Sequence, residues 1–153
     1  MLKIIIPLLI FSMHFALSAT ASNGLVSRSF ATLEPESQHR KVTQLITKIL
    51  ATRHYLKRAI DDSLSASTFD SYLEALDPNR LYFMEEDIQS FRKHRLLFDD
   101  YFRDGFIQPA YDIFQVFQQR FAERLAYIYQ RLGQPFDFSN DEYMELDRSR
   151  SPW

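Results

Sequence analysis

The sequence has no cysteine and only three glycines in its 153 residues. Without cysteine there is no disulfide and no thiolate for a zinc site, so a stable fold must rest on an apolar core. Three scattered glycines leave no Gly-rich phosphate cradle, and neither a P-loop nor a Gly-x-Ser-x-Gly turn occurs. Histidine is sparse: beyond residue 21 there are His39, His54 and His94, none spaced four apart from another and none in a His-Glu-x-x-His pair. Basic residues number 18 against 20 acidic ones, which leaves no surplus to draw in nucleic acid or an anionic membrane surface. Strand-like alternation, internal repeats and low-complexity tracts are also missing.

Aromatics are plentiful, with 14 Phe and 8 Tyr. Each buried ring removes a large apolar area from water, so the material for a core without disulfides is present. The N-terminus has a different character. Lys3 precedes an almost wholly apolar run from Ile4 to Leu17, followed by the small-x-small site Ala19-Thr20-Ala21. This pattern predicts a signal peptide over residues 1–21, export, and no membrane association beyond that export. Exported chains without disulfides suit a periplasm. Residues 22–36 are polar and weakly patterned and read as a flexible leader.

From residue 37 to 133 the periodicity is helical, and the expected fold is all-α: an irregular bundle of about four helices with an extended C-terminal segment over 134–153. Val42, Ile46, Ile49, Leu56 and Ile60 fall on one face, with a break expected near Thr52. Ser63-Leu64-Ser65-Ala66-Ser67 interrupts the pattern, and Ser67 with Asp70 resembles an N-terminal capping box. Phe69, Tyr72, Leu73 and Leu76 give a short apolar face that Asp77-Pro78 should end, since the residue before proline avoids the α region. A third helix is predicted from Met84 to Gly105, its first turn carrying Glu85, Glu86 and Asp87 at the positive end of the helix dipole. The last and clearest helix carries Ala110, Phe114, Phe117, Phe121, Leu125, Ile128 and Leu132, with Pro109 in its first turn and Gly133 past its end.

No residue combination calls for catalytic, cofactor or metal chemistry. Asp137–Asp141 begins like a calcium loop, but Glu142 stands where glycine is needed and Arg148 where the closing glutamate belongs. Asp61-Asp62 and Asp99-Asp100 are neighbours on helices and read as charged faces. Arg120, Arg124 and Arg131 alternate with acidic residues and read as salt-bridged flanks. The distinctive stretch is instead Leu76-Asp77-Pro78-Asn79-Arg80-Leu81-Tyr82-Phe83. It contains no reactive pair. Asp77, Pro78, Arg80, Tyr82 and Phe83 are the candidate site, either a structural corner or a partner contact: Tyr82 and Phe83 would pack to set the next helix, and Arg80 would pair with a nearby carboxylate.

The order of these words carries a resemblance. Phe69-Asp-Ser-Tyr-Leu-Glu-Ala-Leu-Asp77, Pro78-Asn-Arg80-Leu-Tyr82-Phe83, Asp87-Ile88-Gln-Ser-Phe91, Ala110-Tyr-Asp-Ile-Phe114, Arg120-x-x-x-Arg124, Pro135-Phe-Asp-Phe138 and Asp147-Arg148…Pro152-Trp153 succeed one another as in the N-terminal region of tail-specific proteases. These are periplasmic, carboxy-terminal-processing serine peptidases. The resemblance implies a non-catalytic helical domain of an enzyme that cleaves proteins with exposed apolar C-terminal tails. It also implies partners outside this sequence: a PDZ domain, a catalytic domain with a Ser-Lys dyad, and a helical-repeat lipoprotein adaptor. No residue here matches the family's nucleophile or base. The alternative is a stand-alone periplasmic helical adaptor, and a third reading is a small-molecule binder using the Phe-lined interior. An exposed aromatic patch is expected from Phe136, Phe138, Tyr143 or Trp153.

Overall fold

The computed structural model describes residues 32–56 and 58–153. The predicted signal peptide and most of the predicted leader lie outside the described residues. Within them the fold is all-α, with no strand. Five α-helices follow in order: α1 (Ser37–Arg53), α2 (Asp62–Leu76), α3 (Glu85–Phe91), α4 (Phe98–Asp104) and α5 (Gln108–Leu132), with a 3-10 turn at Arg92–His94. No helix among the described residues is long and apolar enough to cross a membrane.

The core gathers Phe69 and Leu73 of α2, Phe83, Ile88 and Phe91 around α3, Phe98 of α4 and Ile113 of α5. Its rings contact one another in tilted and edge-on pairs: Phe69 with Phe98 at 5.9 Å and Phe83 with Phe91 at 5.6 Å between centroids. Aromatic pairs in these geometries add to the energy of burial itself. Tyr72 ties α2 to α5 by donating from its hydroxyl to the Ala110 carbonyl at 2.9 Å. Burial, with Tyr111 nearby, pushes the Tyr72 pKa up to about 12, so the phenol keeps the proton it donates.

Three sequence expectations give way here. First, the serine-rich stretch is not an interruption. Asp61 caps α2 by accepting the amide hydrogens of Ser63 and Leu64, both at 3.1 Å. Ser67 lies inside the helix and donates to the Ser63 carbonyl instead of capping anything. Second, the single helix expected from Met84 to Gly105 is broken between Phe91 and Phe98. The buried Ser65 hydroxyl seals the break: it donates to the Arg95 carbonyl at 3.0 Å and accepts the Phe98 amide at 2.7 Å. A side chain from another helix thereby replaces hydrogen bonds that a continuous helix would have made.

Third, the apolar stripe of α1 does not face the core. α1 ends at Arg53, close to the expected break, but Val42, Ile46 and Ile49 are exposed. The packed face is polar. Arg40 Nε and Gln44 Nε2 donate to the Asp104 carbonyl, and the Thr47 hydroxyl is shared between the Thr43 carbonyl of its own helix at 2.8 Å and the Phe102 carbonyl at 3.3 Å. The Asp104 and Phe102 carbonyls belong to the last turn of α4; the Phe102 carbonyl also accepts the Gly105 N–H at 3.3 Å. Gly105 closes α4 with φ 67°, the left-handed conformation that glycine adopts freely.

Candidate functional site

Asp77 organises the 77–83 corner. Its side chain is 1% exposed. The helix runs out at Leu76 because Pro78 follows, and the chain then turns tightly: Arg80 N–H donates to the Asp77 carbonyl at 3.1 Å. The carboxylate collects the next three amides. Oδ1 accepts from Leu81 N–H at 2.7 Å, and Oδ2 from Tyr82 N–H at 2.9 Å and Phe83 N–H at 3.0 Å. Aspartate is suited to this because a short side chain with two acceptor oxygens can bond its own downstream backbone. The Phe83 amide would otherwise be a buried donor without a partner, at a cost of about 1–3 kcal/mol, and the part-buried Leu81 and Tyr82 amides would lose their acceptors as well.

The five predicted residues thus belong to one turn, but their side chains go different ways. Tyr82 packs on Phe117 and Phe121 of α5 at 5.5 and 5.4 Å. Phe83 is buried against Phe91, Phe117 and Trp153. Pro78 is exposed and acts through the backbone. Arg80 does not pair with a carboxylate as the sequence suggested. Its guanidinium donates to the Ser151 carbonyl and lies 5.0 Å from the centre of the Trp153 ring. Arg80 has φ 52°, in the left-handed region that a residue with a Cβ enters only at a cost of about 1–2 kcal/mol. That conformation aims the side chain at the end of the chain.

Trp153 is therefore the exception in the expected aromatic patch. Phe136, Phe138 and Tyr143 are exposed, whereas Trp153 packs on the core beside Phe83. Trp153 is also the only tryptophan in the sequence, so its fluorescence reports this contact alone. Replacing Arg80 with Ala should red-shift the emission and make it more accessible to a neutral quencher. Arg80→Gly should do the same while unfolding less readily than Arg80→Ala, because glycine relieves the backbone at φ 52°. Unchanged emission in both variants would show that Arg80 does not hold the tail.

A second anchor lies on the next turn. Asp87, 8% exposed, accepts the Met84 amide at the start of α3 and receives a two-pronged bond from Arg120 of α5, at 2.8 and 2.9 Å. Arg120 also donates to Glu123 at 3.0 Å. The sequence placed Arg120 among surface salt bridges. It is instead a tie between α3 and α5, and no spacing rule links residues 33 positions apart. The hydrogen bonds from Arg120 hold the Asp87 carboxyl below the usual carboxylate range. A depressed folded-state pKa gives stability that is complete above the unfolded carboxylate value of about 3.9 and is lost as pH falls through the lower folded value. Wild type should therefore lose more stability on acidification through this range than Arg120→Gln, which starts less stable. Parallel urea midpoints against pH for the two proteins would refute the tie.

The acidic pairs make structural contacts. Asp61 is the α2 cap; Asp99 is buried rather than surface-exposed, and both Asp99 and Asp100 bond Arg103, at 3.1 and 2.7 Å. No group of three or more potential metal-binding side chains occurs among the described residues. The Phe rings of α5 pack on each other, and a surface cleft of about 630 Å³ beside α1 is lined by Gln44, Thr47, Lys48, Arg58 and Arg103 with Ala51, Ala59 and Ile60, and by no Phe.

Comparison with known proteins gives two consistent findings. Residues 46–153 match the family model described as the tail specific protease N-terminal domain. The chain is also 33% identical over 114 residues to the tail-specific protease of Haemophilus influenzae. That alignment covers 71% of this chain and 16% of the relative, so the chain spans about a sixth of the relative's length.

Proposed function

The chain belongs to the tail specific protease N-terminal domain family, and on that footing we propose that it is the non-catalytic helical domain of a periplasmic protease that trims proteins with exposed apolar C-terminal tails. The observation that carries this reading is the family match, which runs through the helices and the tail to Trp153. In this reading residues 37–133 form the helical domain and 134–153 the exit toward a PDZ and a catalytic region. The Ser-Lys chemistry resides beyond this chain.

The corner then has a mechanical role. Asp77 fixes the turn, the turn fixes Arg80, and Arg80 with Phe83 holds Ser151 and Trp153. A following domain would leave from a defined point on the core instead of from a loose tail. A helical-repeat adaptor is the proposed external partner. Export is supported by the composition of residues 1–21, and sequencing the N-terminus of the exported product should find Ser22 first.

The experiment that tests the reading is the coding sequence beyond codon 153. The proposal predicts an open frame encoding a PDZ domain followed by a peptidase region with its nucleophilic serine and lysine. A stop codon followed by unrelated sequence would overturn it in favour of a stand-alone adaptor.

A further inference from the structure

The cleft beside α1 collects positive charge from three parts of the fold. Lys48 comes from α1, Arg58 from the connection between α1 and α2, and Arg103 from α4. No acidic residue lines it, although acidic residues outnumber Lys and Arg in the sequence by 20 to 18. Its volume of about 630 Å³ falls in the range of small-molecule sites, about 300–1,000 Å³.

The polar lining residues are not equivalent. Arg103 is held in place: Nη1 pairs with Asp99 at 3.1 Å and Asp100 at 2.7 Å, and Nη2 donates to the Ile60 carbonyl. Its charge is offset and its position fixed, so it serves as a wall. Gln44 and Thr47 each give a hydrogen bond to the last turn of α4. Lys48 and Arg58 differ from these three. Neither side chain makes an ion pair or a hydrogen bond among the described residues. Asp61, which follows the same connection, is committed to the amides of Ser63 and Leu64. The rest of the lining is apolar: Ala51, Ala59 and Ile60.

We infer that this cleft binds a small organic anion: a carboxylate or phosphate head group on a short apolar body. Lys48 and Arg58 bond the head group. Hydrogen bonds between ionised partners are the strong ones, and the guanidinium fork matches both kinds of head group. Ala51, Ala59 and Ile60 cover the body, which a bare inorganic anion would leave unused. The site shares no residue with the 77–83 corner.

Titration of the purified chain with sodium hexanoate, and separately with hexyl phosphate, tests this at constant ionic strength. Amide chemical shifts report where each probe binds. Both should give saturable shifts centred on residues 47–51 and 59–60, and the tighter of the two identifies the head group. Hexanol, which lacks the charge, and acetate, which lacks the body, should each bind at least about tenfold more weakly. Lys48→Gln with Arg58→Gln should weaken hexanoate and hexyl phosphate at least about tenfold, whereas Lys48→Arg with Arg58→Lys should retain most of the affinity. Both positions are exposed, so circular dichroism should show the variants folded. No saturable shift with either anion, hexanol binding as well as hexanoate, or a glutamine variant that binds like wild type would each overturn the proposal.

Discussion

Asp77→Ala should destabilise the chain by on the order of 3–5 kcal/mol, among the largest effects of any single substitution here. The change removes both acceptor oxygens from a site that is 1% exposed and leaves the Leu81, Tyr82 and Phe83 amides without partners. Alanine cannot supply an acceptor to replace them. Asp77→Asn should lose less. One amide oxygen can still take the Tyr82 and Phe83 bonds, while the Leu81 N–H faces an amide nitrogen that is itself a donor. Equilibrium urea unfolding of the three proteins should rank them Asp, Asn, Ala. Near-equal midpoints for wild type and alanine would mean that the turn holds without its carboxylate.

Gly105→Ala should cost on the order of 3 kcal/mol and should release α1 in particular. Two penalties combine. The residue has φ 67°, and an added Cβ would lie 2.6 Å from Arg40 Cγ and 2.7 Å from the Arg40 carbonyl oxygen. The Arg40 side chain can rotate away, but its carbonyl belongs to the α1 backbone, so relief requires moving the helix. Moving it removes the Arg40 and Gln44 bonds to the Asp104 carbonyl and the Thr47 bond to Phe102. The signature is therefore local. Amide exchange along α1 should accelerate more than exchange in α2. Equal protection of α1 in both proteins would show that the close approach is not limiting.

The contrast between these two sites bears on what the sequence could reveal. Asp77-Pro78 ends α2 and Glu85-Glu86-Asp87 begins α3, as local chemistry requires. Pro109 opens α5 and the helix ends at Leu132, so its limits were legible as well. Local rules sufficed because each boundary is decided within one or two turns. The capping of α2 by Asp61 was a local signal passed over, whereas the other two misreadings have the opposite cause. The break between Phe91 and Phe98 depends on a serine about 30 residues earlier, and α1 docks through Arg40, Gln44 and Thr47 because the last turn of α4 offers carbonyl acceptors. An apolar stripe predicts a buried face only when a helix packs by apolar contact, and α1 packs by hydrogen bonding.

The candidate site divides in the same way. Its five residues were recognisable as a group because they follow a proline-directed helix end and precede two large aromatics. An aspartate before a proline with amides just beyond it is a signal for backbone capture. What no local pattern contained was the far partner: Arg80 reaches a backbone carbonyl and an indole some 70 residues on. Asp87 and Arg120 were missed as a pair for the same reason of distance along the chain.

The central claim is that 77–83 is one mechanical unit, fixed by Asp77 and coupled through Arg80 to the end of the chain. Native-state amide hydrogen exchange tests it most directly, measured at Leu81, Tyr82 and Phe83 and across 148–153 in wild type and Asp77→Ala. The account predicts that the three amides are strongly protected in wild type, lose protection together in the variant, and that the 148–153 segment loosens with them while α1 keeps its protection. Three amides that already exchange at loop-like rates in wild type, or a tail unaffected when they open, would contradict it.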